Sequence, residues 1–467
     1  MPSAHGHDGR PNILFIMSDD HAAHAMSCYG STINQTPQMD RIAAEGMRLD
    51  NCFCTNSICT PSRASILTGK YSHLNGVRTL RESMDQRQMT APKLLQAAGY
   101  QTAIFGKWHL GHGGIHDPRG FDRWCVLPGQ GLYHDPEMFD QGEKRVFPGY
   151  ATDIITDMSL QWLEQRDPDR PFFLMTHHKA PHRPWDPDEK HADMYEGIDI
   201  PEPPTLWDDY SYRATAAREA RMRISRDLKP RDVKAEPPAG LSPEQYTRWA
   251  YQRYIKDYLR CVASVDDNVG RMLDRLDAEG LADHTVVIYT SDQGFFLGDH
   301  GWYDKRFMYE ESLRMPFLVR YPPEIAPNTV NNDLILNIDF APLFLDYAGL
   351  PTPRQMQGRS FRSNLRGKTP AEWRESLYYR YYMHIDGGHS VWAHYGLRTQ
   401  RYKLILYYEQ EPGPQEWELF DLQEDPRELR SVYHDPAYAG VVADLKEELA
   451  RLRSEVGDQE NPWPEER

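Results

Sequence analysis

The sequence predicts an α/β fold with a large mixed, mostly parallel sheet sandwiched by helices, and a smaller C-terminal α+β subdomain that contains an antiparallel sheet. Continuous apolar runs at 12–17, 170–176 and 285–290 have the length and composition of buried parallel strands. An apolar stripe in steps of three and four, from 255 to 276, predicts one long helix lying across the sheet. After about Pro351 the pattern changes to paired strands and a final helix.

The length of 467 residues suffices for one large domain or two smaller ones. We expect a catalytic domain over 11–360 and a C-terminal subdomain over 361–467. Within the first, 186–241 is rich in proline and arginine and predicts an irregular insertion. In the second, 396–408 and 416–422 predict paired antiparallel strands, and 439–455 predicts the last helix.

The formal net charge of −16 argues against a nucleic-acid-binding surface. No apolar run approaches the ~18–20 residues that span a bilayer, so we expect no membrane partner. Residues 1–10 are polar and lack the apolar core of a secretory signal. They predict a cytoplasmic protein as the sequence stands, or a periplasmic or secreted one if a leader has been removed. The six cysteines show no paired zinc-ligand spacing.

Acidic side chains follow two of the predicted strands at the point where each strand ends. Asp19 and Asp20 follow the first strand, and Asp292 and Gln293 follow the strand at 285–290. The carboxyl ends of parallel strands are where open α/β sheets bind ligands. Hard oxygen donors of this kind favour Ca²⁺, with Mg²⁺ second. The alternative is a pair of solvated turns.

The stretch from Cys59 to Arg63 combines a nucleophile, a helix start and a cation. Thr60 is predicted to cap a helix, Pro61 suits its first turn, and Arg63 lies one turn beyond Cys59. A helix N-terminus adds free N–H groups and partial positive charge. This arrangement suits an anionic substrate, whereas the simpler interpretation is a buried cysteine beside a helix cap.

Further polar side chains follow two other predicted strands. Lys107 and His109 alternate with Trp108, so on extended chain they share one side. Three histidines come after the run at 170–176, of which His182 is the preferred candidate for the substrate side. A cation and an imidazole at strand ends can stabilise charge and transfer protons.

Taken together, these motifs resemble the type I sulfatase family, the formylglycine-dependent sulfatases of the alkaline phosphatase superfamily. The resemblance rests on Cys59-x-Pro61-x-Arg63 with its Ala-Ser-Ile-Leu-Thr-Gly continuation, the Gly-Lys-Trp-His-Leu-Gly block at 106–111, and His182 after Ala-Pro. Lys305 and the two acidic pairs also stand in family order. The resemblance implies an alkaline-phosphatase-like fold, a Ca²⁺ ion, and conversion of Cys59 to formylglycine by a formylglycine-generating enzyme.

The resemblance also implies a role for each matched position. The metal ligands would be Asp19, Asp20, the Cys59-derived group, Asp292 and Gln293, although the family commonly has asparagine at the last position. Arg63, Lys107 and Lys305 would offset the charge of the sulfuryl oxygens. His182 or Lys305 would assist the leaving oxygen, and His109 would deprotonate the second hydroxyl of the hydrated aldehyde.

The predicted function is that of a sulfuric ester hydrolase acting on an O-sulfated substrate, with a sulfated carbohydrate favoured. Aromatic and polar side chains that could line a sugar pocket are Tyr133, His134, Trp185, His300, His384, His389 and Trp392. One alternative is a phosphonate monoester or phosphodiester hydrolase of the same superfamily. The other is an inactive glycan-binding homologue.

Overall fold

A computed structural model describes residues 9–386, 388–408 and 415–459. The described strands, numbered in chain order, are β1 Asn12–Ser18, β2 Met47–Leu49, β3 Cys52–Phe53, β4 Gln101–Lys107, β5 Arg123–Leu127, β6 Glu137–Asp140, β7 Glu143–Val146, β8 Phe172–His177, β9 Thr285–Ser291, β10 Phe296–Leu297, β11 Tyr303–Asp304, β12 Phe317–Arg320, β13 Thr329–Asn331, β14 Ile335–Leu336, β15 Ser376–Tyr381, β16 His394–Thr399, β17 Tyr402–Tyr407 and β18 Glu416–Asp421.

The described α-helices, numbered in the same way, are α1 Pro37–Ala44, α2 Cys59–Thr68, α3 Ser72–Asn75, α4 Ala91–Ala97, α5 Ala151–Gln165, α6 Thr215–Glu219, α7 Pro230–Val233, α8 Pro243–Ala278, α9 Glu310–Leu313, α10 Phe340–Tyr347, α11 Arg362–Leu365 and α12 Ala439–Val456. The long helix predicted from the apolar stripe is α8. It begins with a capping box in which Ser242 accepts from the Gln245 N–H.

Ten strands form the central sheet, in the order β13-β2-β12-β9-β1-β8-β4-β5-β6-β7. The central five, β9, β1, β8, β4 and β5, run parallel, and antiparallel pairs extend the sheet on both sides. Four strands of the parallel centre, β1, β4, β8 and β9, were predicted from their apolar runs, whereas β5 was not. The strands β6 and β7 at one side of the sheet were not predicted either, because all their residues except Met138 are half-buried or exposed and they carry no apolar run.

Alternate residues of β1 enter two separate cores, one on each face of the sheet. Ile13 and Phe15 pack with α2, α4 and α10, whereas Leu14 and Ile16 pack with α1, α5 and α8. A strand buried on both faces reads as a continuous apolar run because neither set of side chains meets water. The predicted sheet sandwiched by helices is therefore confirmed.

A separate four-stranded antiparallel sheet follows, in the order β15-β16-β17-β18, with α12 packed beside it. The predicted antiparallel sheet is confirmed, but the run at 396–408 is two strands joined at Gln400 and Arg401. Within the predicted insertion at 186–241, the structure has only α6, α7 and turns as regular elements. The domain boundary at 360 stays a prediction. None of the described helices combines the length and apolar character needed to cross a bilayer.

Gly106 is required where β4 meets β8, just before Lys107. Its φ is +101°, and a Cβ atom there would lie 1.9 Å from the carbonyl oxygen of His177. We expect Gly106→Ala to lower the free energy of unfolding by about 3 kcal/mol or more, from the left-handed backbone and the clash together. Chemical denaturation measures this change.

Gly142→Ala is the matched control, since its φ is +92° but no heavy atom lies within 4 Å of the added Cβ. It should cost only about 1–2 kcal/mol, the backbone part alone. Equal losses in the two variants would contradict the close approach of β4 and β8.

Candidate active site

Three carboxylates meet at the carboxyl edge of the central sheet. β1 and β9 pair in parallel with Ser18 opposite Ser291, so the residues that follow them lie side by side. Asp19, Asp20 and Asp292 each offer an oxygen within 4.8 Å of the others, and all three side chains are buried. The sequence prediction that two strand ends bring these residues together is confirmed by the register.

Three cations face the three carboxylates. The Lys107 ammonium, at the end of β4, donates to Asp19 and to the amide oxygen of Gln130. Arg63 Nε donates to Asp292 over 3.0 Å, and Lys305 Nζ donates to Asp20 over 2.7 Å. All of the cations are almost fully buried. Burial lowers the pKa of Lys107 well below its usual range, whereas its contact with Asp19 favours the charged form. With Lys107 protonated, the formal charges of the cluster balance, which buried carboxylates require.

The remaining oxygen atoms fit a hard divalent cation. Asp19 Oδ1 and Gln293 Oε1 are buried without a hydrogen-bond partner among the described residues. The Gln293 amide nitrogen donates to Asp20 Oδ1, which holds the longer glutamine side chain at the cluster. Burial raises the pKa of Asp20 to about 6, against the attraction of Lys305. Unpaired buried oxygens are costly, and a Ca²⁺ or Mg²⁺ ion would satisfy them.

The candidate nucleophile opens α2. The helix begins at Cys59 with Ile58 as its N-cap, so the predicted capping by Thr60 is wrong. Thr60 lies inside the first turn, and its hydroxyl hydrogen-bonds His109 Nδ1 over 3.1 Å. Two side-chain contacts fix the helix start: the Ser62 hydroxyl donates to the Asp292 carbonyl, and the Asn337 amide donates to Ser62.

A thiol at position 59 is a poor nucleophile in this place. Cys59 is buried, and burial raises its pKa to about 11, although Lys305 opposes that rise. The thiolate is the reactive form of cysteine, so an unmodified Cys59 is almost entirely neutral and inert near pH 7. This chemistry favours a cysteine that is altered before it acts.

Two histidines complete the inner part of the site. His182 Nε2 lies 3.7 Å from Asp20 Oδ2, while His182 Nδ1 contacts the Arg183 carbonyl over 2.7 Å. Burial, reinforced by the neighbouring cations, holds the pKa of His109 and of His182 well below the usual range. Both imidazoles are therefore neutral in the unliganded protein. The other two of the three histidines that follow the run at 170–176, His177 and His178, are buried core residues.

Left-handed backbone conformations recur at these functional positions. Asp20 has φ of 68° and His109 has φ of 55°, values that non-glycine residues seldom adopt. The Tyr258 hydroxyl, on α8, donates to the Asp20 carbonyl over 2.8 Å and thereby fixes that conformation. Strain of this kind is typical of functional sites, where the surroundings hold a side chain in one direction.

A second group of charged residues adjoins Lys305 on the outer side. His389 Nε2 lies 3.0 Å from Asp304 Oδ2, and His389 Nδ1 lies 3.0 Å from Arg306 Nη2. Asp304 and Arg306 both have positive φ, 82° and 98°. His389, Lys305 and Arg306 outweigh burial and hold the pKa of Asp304 well below its usual range. Sequence reasoning missed Asp304 and Arg306, although they flank Lys305 directly.

Arg183 connects this outer group to the insertion. Its guanidinium forms a buried ion pair with Asp232 and lies 4.0 Å from Asp304. Asp232 belongs to α7, one of the few regular elements of 186–241. The insertion therefore contributes to the wall of the site.

Four of the suggested sugar-pocket residues lie in the core or in a separate surface groove. Tyr133, Trp185 and His300 are buried: Trp185 packs on Tyr254, and His300 pairs with Asp208. His134 lines a separate surface groove with Tyr150. His389 contacts the charged group around Lys305, through Asp304 and Arg306. His384 and Trp392 belong to the same connection between β15 and β16 as His389.

Family models match almost the whole chain. A sulfatase model matches residues 11–350, and an N-sulphoglucosamine sulphohydrolase C-terminal model matches residues 298–455. An N-acetylglucosamine-6-O-sulfatase of Bacteroides thetaiotaomicron is 45% identical over 97% of this chain and 88% of its own length. The human N-acetylglucosamine-6-sulfatase is 30% identical over 80% of this chain and 67% of its own length.

Solved structures agree with the sequence relatives. One protein, in complex with its substrate D-glucosamine-2-N,6-O-disulfate, has a TM-score of 0.94 and 44% identity, covering 98% of this chain and 100% of that one. The phosphonate monoester hydrolase of Agrobacterium radiobacter has a TM-score of 0.74 at 21% identity, covering 96% of each chain, which shows a shared fold alone. With the acidic pairs, Cys59 and the cations in one buried site, the predicted resemblance is confirmed: the chain belongs to the sulfatase family and is a sulfuric ester hydrolase.

Proposed function

We propose that this sulfatase removes the 6-O-sulfate group from glucosamine-type sugars, using a formylglycine made from Cys59 and a bound divalent cation, Ca²⁺ in preference to Mg²⁺. The observation that carries this proposal is the buried meeting of three carboxylates and three cations around Cys59. The sugar is inferred from relatives: one is named for the 6-O-sulfate of N-acetylglucosamine, and a structural neighbour holds a 6-O-sulfated glucosamine.

Position 59 and the carboxylate cluster divide the chemistry. A formylglycine at position 59, installed by a maturation enzyme, supplies a hydrated aldehyde as the nucleophile toward sulfur. Asp19, Asp20, Asp292 and Gln293 would hold the cation, which would supply positive charge toward the sulfuryl oxygens and the nucleophile. Since the protein charges balance without it, a dication gives the site a net positive charge that suits a sulfate ester.

Protein cations act directly on the sulfate group. Lys107, Lys305 and Arg63 are fixed by buried ion pairs, so they need not reorganise as charge moves onto the sulfuryl oxygens. Arg63 Nη2 is buried with no hydrogen-bond partner among the described residues, which leaves a donor for an anion. Attraction to Asp20 outweighs burial and raises the pKa of Lys305 to about 12, so this side chain is charged before the substrate binds.

The two neutral histidines suit two proton transfers. His109, beside Thr60 in the first turn of α2, can accept a proton from the group at position 59. Burial, with a smaller effect of the neighbouring cations, keeps the His182 imidazole neutral. The negative charge of a bound sulfate ester would raise the pKa of His182, because it opposes those cations. His182 can then donate to the departing sugar oxygen, with Lys305 as the second candidate donor.

We further propose that Asp304, Arg306 and His389 bind the hydroxyl groups of the sugar. A carboxylate, a guanidinium and an imidazole held in contact with one another present both acceptors and donors, which sugar hydroxyls need. The group adjoins Lys305, whose Nζ lies 3.9 Å from Asp304 Oδ1, and Lys305 is one of the cations proposed to contact the sulfate. Its strained backbone supports a binding role.

Replacement of Cys59 tests the nucleophile. We expect Cys59→Ala to lower kcat for a sulfated glucosamine by at least about a thousandfold, since covalent catalysis is lost. In the active wild-type protein, mass spectrometry of the peptide that holds residue 59 should show formylglycine. A fully active protein that carries only the thiol contradicts this proposal.

The same assay separates the alternatives. A phosphonate monoester or phosphodiester hydrolase would turn over a matched aryl phosphodiester faster than the aryl sulfate. An inactive glycan-binding homologue would bind sulfated sugars equally well with or without Cys59→Ala and would release no sulfate.

Calcium binding should stabilise the folded protein. At a concentration about a hundred times its Kd, Ca²⁺ should add about 2.7 kcal/mol to the free energy of unfolding, read as a rise in Tm. Asp292→Asn should abolish most of this rise, whereas Asp274→Asn, in an exposed surface pair with Arg41, should retain it.

Because burial raises the pKa of Asp20 to about 6, protons compete with Ca²⁺, and the rise in Tm should shrink between pH 7.5 and pH 5. A pH-independent rise that survives in Asp292→Asn would place the ion elsewhere.

His389→Ala should separate sugar binding from sulfate chemistry. We expect kcat/KM for the sulfated glucosamine to fall about tenfold or more, from the loss of a hydrogen bond in a charged group. Turnover of a small aryl sulfate, which lacks sugar hydroxyls, should change far less. His134→Ala, in the separate groove, should leave the turnover of both substrates unchanged. Equal losses on both substrates would show that His389 supports the sulfate site and not the sugar.

The cellular compartment stays a prediction.

A further inference from the structure

We propose that Lys179 is a positioning residue for the departure of the sugar: together with Tyr133, it holds the His182 imidazole in the orientation that serves the leaving oxygen. This inference rests on the proposed function, in which His182 donates to that oxygen, and it adds the reason why His182 points there. Lys179 lies between the end of β8 and His182. The chemistry described above makes no use of it.

The Lys179 side chain is a buried cation without an acidic partner. It is 2% exposed, and it forms no ion pair with a carboxylate among the described residues. Its Nζ donates to the Arg183 carbonyl over 3.4 Å and lies 4.5 Å from the centre of the Tyr133 ring, over its face. Burial lowers the pKa of Lys179 to about 8, so the side chain is still charged near pH 7. An ammonium buried in this way is costly, which indicates a function that a neutral side chain does not serve.

The Arg183 carbonyl joins Lys179 to the histidine. The same oxygen lies 2.7 Å from His182 Nδ1. A carbonyl oxygen can only accept, so Nδ1 carries the hydrogen of the neutral ring and Nε2 is left free. Nε2 is the nitrogen that lies 3.7 Å from Asp20 Oδ2, on the side of the carboxylate cluster. The carbonyl therefore fixes the tautomer and the direction of the ring, and Lys179 fixes the carbonyl.

The backbone of His182 is held by the same two residues. Its N–H donates to the Lys179 carbonyl over 3.1 Å, and its carbonyl accepts from the Tyr133 hydroxyl over 2.5 Å. Tyr133 is itself buried and stacks on Tyr150, with ring centroids 5.8 Å apart. Lys179 and Tyr133 thus fix three of the four polar groups of His182, directly or through one carbonyl. The fourth, Nε2, remains for the substrate.

The chain around Lys179 is attached to the end of β1 independently of the Lys179 side chain. The Asp19 N–H donates to the Ala180 carbonyl over 3.2 Å. The His178 N–H donates to the Met17 carbonyl over 2.8 Å. A substitution at Lys179 should therefore remove the side-chain contacts and leave the path of the backbone in place.

A purely structural role and a positioning role of Lys179 differ in what a substitution changes. Replacing a buried charge with an apolar side chain of similar size is often neutral or stabilising, so Lys179→Met should leave Tm unchanged or raise it. The activity loss should be confined to one step. Departure of a sugar alcohol needs a proton from His182, whereas a nitrophenolate leaves without one.

Sulfate release from 6-O-sulfated N-acetylglucosamine and from 4-nitrophenyl sulfate tests the proposal. For Lys179→Met we expect kcat on the sugar to fall about ten- to a hundredfold, which is part of the effect of a general acid, and kcat on the nitrophenyl ester to change less than about threefold. Tyr133→Phe keeps the ring but removes the donor to the His182 carbonyl, so it should give a smaller loss with the same selectivity. Lys190→Met is the matched control, since Lys190 is 69% exposed and pairs with Asp267 on the surface. It should leave both substrates unchanged.

Two kinetic outcomes overturn the proposal. Equal losses on the two substrates in Lys179→Met would show that Lys179 supports the whole site and not the departure of the sugar. Unchanged turnover of the sugar would show that His182 keeps its orientation without Lys179.

His182→Ala separates a failure of this inference from a failure of the proposed function. The proposed function requires the same selective loss in His182→Ala, and it fails if that loss is missing or if the wild-type protein releases no sulfate from the sugar. Nitrogen NMR of protein with isotope-labelled histidine, with the His182 signals assigned from His182→Ala, then decides the inference. The wild-type protein should show one His182 tautomer, with the hydrogen on Nδ1, and Lys179→Met should populate a second. An identical His182 signal in the two proteins overturns the proposal.

Discussion

The buried charge cluster at the carboxyl edge of β1 and β9 is the constraint on which the rest of the site depends. Three carboxylates with essentially no solvent exposure cannot remain ionised alone, because their transfer from water is costly. Arg63, Lys107 and Lys305 compensate them from three different parts of the chain. Each cation thereby has one fixed position, which is what a sulfate-binding site needs. Stability and function use the same ion pairs.

The register of the sheet and the start of α2 fix the geometry of this cluster. Parallel pairing aligns Ser18 with Ser291, and the acidic residues follow at once on both strands. The Arg63 guanidinium bonds both Asp292 and the Lys107 carbonyl, so α2 is tied to the ends of β9 and β4. A small shift of any one strand would therefore separate a carboxylate from its cation. Gly106 permits the close approach of β4 to β8 that this arrangement demands.

The C-terminal part of the chain contributes to the surroundings of Lys305. The connection between β15 and β16 carries His389 to Asp304 and Arg306. The insertion contributes Asp232, which pairs with Arg183 in the same region. The reactive centre is thus built from the central sheet, whereas the surrounding wall comes from the most irregular parts of the chain. This division suits an enzyme in which the chemistry is fixed and the sugar preference is set at the rim.

The sequence alone determined four of the five parallel strands at the centre of the sheet, the long helix and the inner residues of the site. Buried strands, α8 and the family motifs are local signals: each is legible in a continuous stretch, and parallel strands bring their ends together by rule. Asp19, Asp20, Asp292 and Gln293 could be predicted for that reason. The edge strands β6 and β7 could not, because half-exposed residues carry no periodic apolar signal.

Only the tertiary structure decided the surroundings of the inner residues. It showed that Thr60 hydrogen-bonds His109 and does not cap α2, since a helix boundary depends on backbone geometry and not on residue type alone. It also separated His389, which contacts the charged group, from Trp185 and His300, which fill the core. Aromatic and imidazole side chains are equally suited to a core and to a sugar pocket, so composition cannot distinguish them. Their positions follow from long-range packing, which no local pattern records.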